Sequence, residues 1–278
     1  MRHRSAAPTV EALGCLPSTL LIPLAARARG AAVLGRLDPH DRHAEAALAA
    51  TGASVDAFLN DRITVLNVLW RTSLIKKMGA RFFEQHPASA GVNLGAGLSN
   101  YFQWFDNGYN SWLDADLPEV ITLRQRLLKP LPARCRNRRL NITQAGWWRD
   151  LRCPTGREAR PVLLLCEGVL MYLAPAIVEA VLKEIGDNAP AGSEFICDFM
   201  SPLWIGRAAL HPSVGSTGAE FTWGAHHGEE LAKAHPRLRL LEQHSVAEAY
   251  GVVGLMAELF WRPYSGGCMY GLARLGVA

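Results

Sequence analysis

The sequence lacks a long apolar run and any paired cysteine motif, and each absence excludes a class of protein. No apolar stretch reaches the roughly 18 residues that a membrane-spanning helix requires. None of the six cysteines forms a CxxC pair, and no histidine stands at metal-ligand spacing from them, so no metal site is expected. Pro8, Thr9 and Glu11 interrupt what would be the apolar region of a signal peptide. We therefore expect a cytoplasmic protein with reduced thiols and no membrane partner.

The chain also lacks a strong charge bias. It carries 29 Lys and Arg against 25 Asp and Glu, a net charge of +4. A nucleic-acid-binding protein more often spreads basic residues along one face with interleaved aromatics, so no nucleic-acid partner is expected. Much of the excess lies between Arg134 and Arg139, which we interpret as a solvated connection after a helix, or alternatively as a contact to an anionic substrate.

What the sequence does contain is enough apolar residues for a core and a change of pattern near residue 90. Apolar residues make up 49% of the 278 positions. Residues 1–87 show helical periodicity, and from residue 88 short apolar runs alternate with helical patterns, which is typical of βαβ units. The predicted strands span residues 91–94, 111–116, 139–142, 162–166, 193–200, 237–243 and 268–275. The pattern predicts one α/β domain over residues 1–278, with an N-terminal helical cap (1–87), a mostly parallel seven-stranded sheet and an antiparallel edge hairpin.

A glycine turn follows the first predicted strand. Glycines at Gly95 and Gly97 let a ligand approach the backbone closely, and the exposed N–H groups of such a turn can face it. A plain tight turn is the alternative. Asn100 occupies the place of the third glycine of the dinucleotide fingerprint, which disfavours an NAD-dependent oxidoreductase.

Two acids follow the ends of predicted strands. Asp116 stands 19 residues after Gly97 and could accept hydrogen bonds from both hydroxyls of a ribose, or could instead cap the helix that begins near Pro118. Asp114 would point to the opposite face. Glu167 follows the most apolar strand and would lie at the carboxyl edge of the sheet, with a solvated acid as the alternative.

Three motifs resemble the leucine carboxyl methyltransferase family, and three shorter ones support them. The three are VNLGAGL (92–98), DADLPEVI (114–121) and EGVLMYL (167–173), and the supporting ones are TLLIPL (19–24), RT (71–72) and GAEFTWG (218–224). They occur in the expected order over most of the chain.

The resemblance implies a Rossmann-like class I methyltransferase fold that uses S-adenosylmethionine. It implies that the turn of Gly95, Ala96 and Gly97 lines the methionine moiety and that Asp116, followed by Leu117, holds the ribose. The adenine would be flanked by Ile142, Thr143 and Gln144. Glu167 would lie beside the cofactor near the acceptor, and Arg71 would bind a carboxylate of the cofactor or of the acceptor.

The expected reaction is methyl transfer to a carboxylate or phenolic oxygen of a small molecule, for example a polyketide-like secondary metabolite. Such an in-line displacement needs alignment and exclusion of water more than acid–base chemistry. Arg71 and Tyr172 are candidates for positioning the reactants. Aromatic walls for the acceptor are expected from Tyr172, Trp204, Phe221 and Trp223.

Several alternatives remain open on the sequence alone. His226 and His227 form either a solvated loop or a base for a phenolic acceptor. Methylation of N, S or C is an alternative to O-methylation. Ser99, Asn100 and Gln144 depart from the residues usual in the family, which leaves a catalytically silent cofactor-binding protein as another alternative. A monomer and a homodimer are equally compatible with the sequence.

Overall fold

The N-terminal part of the computed structural model is helical. The structure describes residues 15–128, 131–153 and 159–278, with side chains from residue 19 onward. Four helices come first, namely α1 (Cys15–Leu34), α2 (Arg42–Thr51), α3 (Asp56–Asn60) and α4 (Arg62–Gln85). Aspartates begin two of them, because the Asp41 side chain accepts from the Ala44 amide and the Asp61 side chain from the Thr64 amide. Asp61 also separates α3 from α4, although the apolar residues on its two sides, such as Leu59 and Leu66, keep a helical period.

A seven-stranded sheet follows. Its strands are β1 (Ala90–Leu94), β2 (Ser111–Asp116), β3 (Cys135–Arg139), β4 (Val162–Cys166), β5 (Glu194–Met200), β6 (Leu238–Ser245) and β7 (Tyr270–Val277). Their order across the sheet is β3-β2-β1-β4-β5-β7-β6. The first five strands are parallel, and β7 runs antiparallel between β5 and β6. The predicted Rossmann-like sheet with an antiparallel edge hairpin is confirmed.

The third strand differs from its prediction. It spans Cys135–Arg139 and not residues 139–142, so the basic run that we interpreted as a solvated connection forms an edge strand. Only Cys135 of this strand is buried, where it packs beside Trp112 of the neighbouring strand. An edge strand with one solvated side tolerates arginines, and apolar periodicity therefore does not reveal it. Residues 140–144 form the turn that follows this strand.

The remaining helices connect or follow the strands. They are α5 (Phe102–Phe105), α6 (Pro118–Leu127), α7 (Trp147–Leu151), α8 (Pro175–Asn188), α9 (Gly228–Ala232) and α10 (Gly251–Ser265). All five residues of β4 are buried, as expected for a strand covered on both faces. On one face β4 packs with the apolar stripe of α8, which includes Val181 and Ile185, and on the other with Phe82 of α4.

The strand order places a cleft at the centre of the sheet. Strand β1 lies between β2 and β4, so the connections that follow β1 and β4 diverge to opposite sides. Ligands of open α/β sheets bind outside the carboxyl ends of the strands at such a switch point. Helices α1 and α4 pack against each other, and both contribute residues to this edge. We expect the N-terminal helical cap (1–87) to act as a lid over this edge. Among the described residues, no helix combines the length and apolarity needed to cross a bilayer.

Candidate active site

A large cavity lies at the carboxyl edge of the parallel strands. Its volume is about 1060 Å³, which is at the upper end of the range for small-molecule sites. The strand ends form one side, α1 and α4 form another, and Val253 and Trp261 of α10 contribute to its wall. All the site residues predicted from the sequence line this cavity except Gln144 and Trp223.

The glycine turn after β1 has an unusual backbone and no free amides. Gly95 and Gly97 have φ values of +67° and +50°, and a Cβ on Gly95 would lie 2.4 Å from Cγ2 of Val169. Only glycine adopts this conformation with so close a neighbour. The amides of Gly95 and Ala96 donate to the carbonyl of Ala115 at 2.8 and 3.1 Å. These N–H groups therefore face β2 and not a ligand, contrary to expectation, and a phosphate would find no free donors among them.

A buried arginine also holds the glycine turn in place. Arg124 of α6 donates from Nη1 to the carbonyls of Gly97 and Ser99, both at 2.7 Å. Its Nη2 lies 2.6 Å from Oδ2 of Asp114, and both side chains are fully buried. Asp114 thus serves the structure of the turn, and as expected it does not line the cavity. A buried charge pair with further hydrogen bonds fixes the turn in one geometry.

Asp116 ends β2 and lines the cavity. Its Oδ2 accepts from the Gly97 amide and its Oδ1 from the Leu117 amide, both at 2.7 Å. Burial raises the pKa of Asp116, and these two backbone hydrogen bonds oppose that effect. Each carboxylate oxygen has further lone pairs, so Asp116 can accept hydrogen bonds from a ligand while it holds the turn. The helix-cap alternative is wrong, because Leu117 is the residue that precedes α6 and no side chain caps this helix.

A cluster of charged side chains lies at the ends of β4 and β5. Arg71 of α4 donates from Nε to Oε1 of Glu167 at 2.5 Å and from Nη1 to Oδ2 of Asp198 at 3.0 Å. The same Nη1 donates to the Tyr270 hydroxyl at 2.6 Å, and that hydroxyl donates to Asp198 through a short hydrogen bond. The Tyr101 hydroxyl donates to Oε2 of Glu167 at 2.6 Å. One guanidinium and two phenols thus orient two carboxylates.

The protonation of this cluster follows from burial and from Arg71. Burial opposes ionisation of Glu167, but the charges of Arg71 and Arg27 and the hydrogen bonds from Tyr101 and Arg71 together outweigh it and lower the pKa of Glu167. Burial raises the pKa of Asp198, with Arg71 opposing it. Burial also raises the pKa values of Tyr101 and Tyr270 well above the usual range, so both remain hydrogen-bond donors. With both carboxylates ionised, the three charged groups sum to −1 and favour a cationic ligand group nearby.

The opposite half of the cavity has an aromatic wall. Tyr172 packs against Phe221 with ring centroids 5.6 Å apart, His211 packs edge-on against Phe221 at 5.9 Å, and Trp204 packs edge-on against His211 at 5.9 Å. These rings form one continuous wall beside an apolar cluster that includes Met171. Burial raises the pKa of Tyr172 to about 12, so it lines the wall as a neutral phenol.

Some predicted or considered residues lie elsewhere. Gln144 is exposed in the turn after β3. Trp223 packs against the core cluster beside the sheet, and its amide donates to the carbonyl of Met171 at 3.3 Å. His226 contacts the carbonyl of Ser265 through Nδ1 at 2.9 Å, and His227 precedes α9, where its amide donates to Oε1 of Glu230 at 3.1 Å. Neither histidine lines the cavity, so the structure does not bring a base from this pair to the acceptor.

The sequence interpretation missed several polar residues that line the cavity or complete its charged cluster. Asp198 was detectable as an acid near the end of the apolar strand β5, and Tyr270 left no signal because β7 is distant in sequence. Asn67 stands one helical turn before Arg71, lines the cavity, and has a buried Oδ1 that lacks a hydrogen-bond partner among the described residues. Arg27 of α1 is buried, lines the cavity, and donates to Asp41 at 3.0 Å.

The described residues form no candidate metal centre. No group of three or more His, Cys, Asp or Glu side chains within them is arranged to hold an ion. Cys166 and Cys197 are register partners on β4 and β5. Burial raises the pKa of both thiols well above the usual range, so they remain protonated.

A family comparison matches most of the elements that build this cavity. The model of the family described as leucine carboxyl methyltransferase matches residues 17–186. This range includes most of α1, all of α4, and the strands β1 to β4 with Asp116 and Glu167 at the ends of two of them.

Two curated relatives match at modest identity. The tetracenomycin polyketide synthesis O-methyltransferase TcmP of Streptomyces glaucescens is 30% identical over 185 residues, which cover 66% of this chain and 65% of that protein. The S-adenosyl-L-methionine-dependent methyltransferase dpfgK of Gibberella zeae is 29% identical over 186 residues, which cover 63% of this chain and 61% of that protein. The matched region thus spans less than two thirds of the length of either relative.

A solved structure supports the fold. A DUF574 family protein from Streptomyces avermitilis superimposes with a TM-score of 0.53 at 16% identity, covering 91% of this chain and 97% of that one. At this identity the likeness shows the fold alone.

Proposed function

The chain belongs to the leucine carboxyl methyltransferase family, and we propose that it is an S-adenosylmethionine-dependent O-methyltransferase acting on a carboxylate or phenolic hydroxyl of a small molecule. One observation carries the proposal. The glycine turn of 95–97, Asp116 and Glu167 follow three different strands and line the same cavity, together with Arg71. A nucleoside with a charged amino-acid tail requires such a convergence of a ribose acceptor and a charged cluster.

The residues present fit this cofactor. Asp116 would accept hydrogen bonds from the ribose hydroxyls. Leu117, Ile142 and Thr143 also line the cavity, and the adenine would lie against them. The amides of the glycine turn already donate hydrogen bonds within the protein, which suits a ligand that carries no phosphate. The cluster around Glu167 contains two carboxylates, Glu167 and Asp198, against the one guanidinium of Arg71, which suits the ammonium and sulfonium groups of the cofactor. The bound cofactor would supply an electrophilic methyl group.

The chain's own contribution is to orient and to exclude water. Arg71 is bonded to Glu167, Asp198 and Tyr270 at once, so its guanidinium is fixed before a ligand binds. A preorganised cluster aligns the reactants at little cost at the moment of transfer. Tyr172 and Phe221 shield the acceptor half from water.

The acceptor that this cavity favours is planar and largely apolar. A volume of about 1060 Å³ leaves room for an acceptor beside a nucleoside-sized cofactor. A continuous aromatic wall favours stacking with a flat ring system. The name of TcmP, which refers to polyketide synthesis, supports a secondary metabolite of this type.

Calorimetry with S-adenosylmethionine and with NAD tests the cofactor, and transfer of a radiolabelled methyl group to a panel of aromatic acids and phenols tests the reaction. We expect micromolar affinity for S-adenosylmethionine, none for NAD, and volatile methanol released by mild alkali from any carboxyl ester formed. Tight NAD binding would contradict the proposal. Cofactor binding without transfer to any acceptor would favour a silent binding protein, and alkali-stable products on nitrogen or carbon would favour the other methyl acceptors.

A further inference from the structure

His211 occupies the middle of the aromatic wall in the acceptor half of the cavity. It contacts Trp204 on one side and Phe221 on the other, and it is half-buried. Among the residues that the structure describes, it is the only histidine that lines the cavity. Any acceptor that packs against this wall meets the imidazole ring.

One ring nitrogen of His211 is engaged by the backbone. The Val214 amide donates to Nδ1 at 3.3 Å. A nitrogen that accepts a hydrogen bond must carry a lone pair, so the neutral ring has its proton on Nε2. The opposite tautomer would point an Nδ1 proton at the Val214 N–H, and two donors would then face each other.

The nearby carboxylate does not reverse this arrangement. Asp61 could select the Nδ1–H tautomer if it accepted a proton from that nitrogen, as in acid–histidine pairs that act as bases. Its oxygens instead accept from the Thr64 amide at 3.1 Å and from the Ser213 hydroxyl at 2.6 Å. Burial lowers the pKa of His211, with Asp61 opposing that effect, so the ring is neutral near pH 7.

The second ring nitrogen has no hydrogen-bond partner in the part of the chain that the structure describes. Within the described residues, Nε2 of His211 makes no hydrogen bond. The buried side-chain atoms that lack a partner do not include it, so this nitrogen is not buried. Nε2 is therefore accessible, on a residue that lines the cavity.

We propose that His211 is an acceptor-binding residue that donates its Nε2–H to an oxygen of the methyl acceptor and does not act as a general base. The inference rests on the proposed function. It adds which residue recognises the acceptor and that this residue acts as a hydrogen-bond donor. Transfer to a hydroxyl releases a proton, and the Nε2–H tautomer has no lone pair on that nitrogen to take it. An acceptor with an ionised or carbonyl oxygen satisfies the donor, whereas a neutral hydroxyl must lose its proton elsewhere.

The tautomer can be measured without any acceptor. Histidine labelled with ¹⁵N, in protein saturated with S-adenosylhomocysteine at pH 7.5, reports the protonated ring nitrogen through two-bond ¹H–¹⁵N correlations. The signal that disappears in His211→Gln identifies the residue. We expect the Nε2–H pattern; an Nδ1–H pattern or a doubly protonated ring would overturn the proposal.

Binding of a probe tests the donor. We choose 2-naphthoate, a planar aromatic carboxylate, titrated into the same complex. We expect His211→Gln, which keeps an N–H donor, to bind within about threefold of the unchanged chain, and His211→Phe to bind at least tenfold more weakly. His40→Gln, a change at an exposed histidine outside the cavity, is the matched control.

The outcomes separate this inference from the proposed function. Equal affinity of His211→Gln and His211→Phe, or a failure of the unchanged chain to bind millimolar 2-naphthoate, would overturn the role of His211 while S-adenosylhomocysteine still bound. Failure of the unchanged chain to bind S-adenosylhomocysteine would instead count against the methyltransferase proposal.

Discussion

Replacing Asp116 by alanine is the sharpest test of the cofactor site. The side chain lies at the end of β2, lines the cavity, and holds the Gly97 amide at 2.7 Å. Its removal takes away the proposed ribose acceptor and loosens one contact of the glycine turn. Arg124 continues to hold the carbonyls of that turn, so we expect the fold to persist.

The size of the effect follows from the hydrogen bonds involved. A hydrogen bond to a charged group contributes about 1.5–3 kcal/mol, and Asp116 would accept two from the ribose. Water partly compensates in the alanine variant, so we expect a loss of about 3 kcal/mol, equivalent to a Kd for S-adenosylmethionine that is roughly 100-fold higher. Asp116→Asn keeps an acceptor oxygen without the charge, and we expect a rise of about tenfold.

Calorimetry measures the affinity and thermal unfolding measures the fold. Glu119→Gln is the matched control, because this acid is exposed in the first turn of α6 and does not line the cavity. We expect the control to change the affinity by less than threefold. If Asp116→Ala bound the cofactor within threefold of the unchanged chain, with the same melting temperature, the ribose assignment would be wrong.

Three further changes test the surroundings of the site. Arg124→Met leaves the carboxylate of Asp114 buried without its charged partner. We expect the free energy of unfolding in urea to fall by about 3–5 kcal/mol and to recover in part when Asp114→Asn is added. No recovery would contradict the pairing. Arg71→Lys puts an ammonium in place of a guanidinium that bonds to several groups, including Asp198. Calorimetry should show at least tenfold weaker cofactor binding. Unchanged affinity would argue that the cluster does not contribute to binding. Because burial raises the pKa of Asp116, its charge is present above that pKa and lost as the pH falls through it. Cofactor affinity should therefore decline at a higher pH than for an ordinary aspartate, and this decline should be absent in Asp116→Asn.

The fold was predictable where one physical signal dominated. Strand β4 is apolar at every position because both of its faces are covered, and α8 shows its buried stripe in the periodicity. Strand β3 was misplaced because an edge strand with arginines carries no apolar period. The break at Asp61 cannot be seen in the sequence pattern, because the apolar residues of α3 and α4 keep nearly the same helical period on both sides of it.

The part of the cavity that we assign to the cofactor was predictable for a different reason. Parallel strands end at one edge of a sheet, so residues that follow strand ends, such as Gly97, Asp116 and Glu167, converge whatever their distance in sequence. Asp198 follows the same rule within β5. Tyr270 does not, because it begins an antiparallel strand, and its contact with Arg71 spans almost 200 residues.

The acceptor half depends on contacts that no local pattern encodes. His211 and Ser213 lie in a segment of short turns between β5 and α9, and they meet Asp61 only because α4 begins beside that segment. The same separation has a functional consequence. Strand ends fix the residues proposed to bind the cofactor, whereas those proposed to bind the acceptor can change by substitution in the turns around His211 without disturbing the sheet. Chains that share the motifs at 92–98 and 167–173 can therefore bind one cofactor and differ in acceptor, and specificity should follow the residues at 204, 211 and 221 more closely than the family motifs.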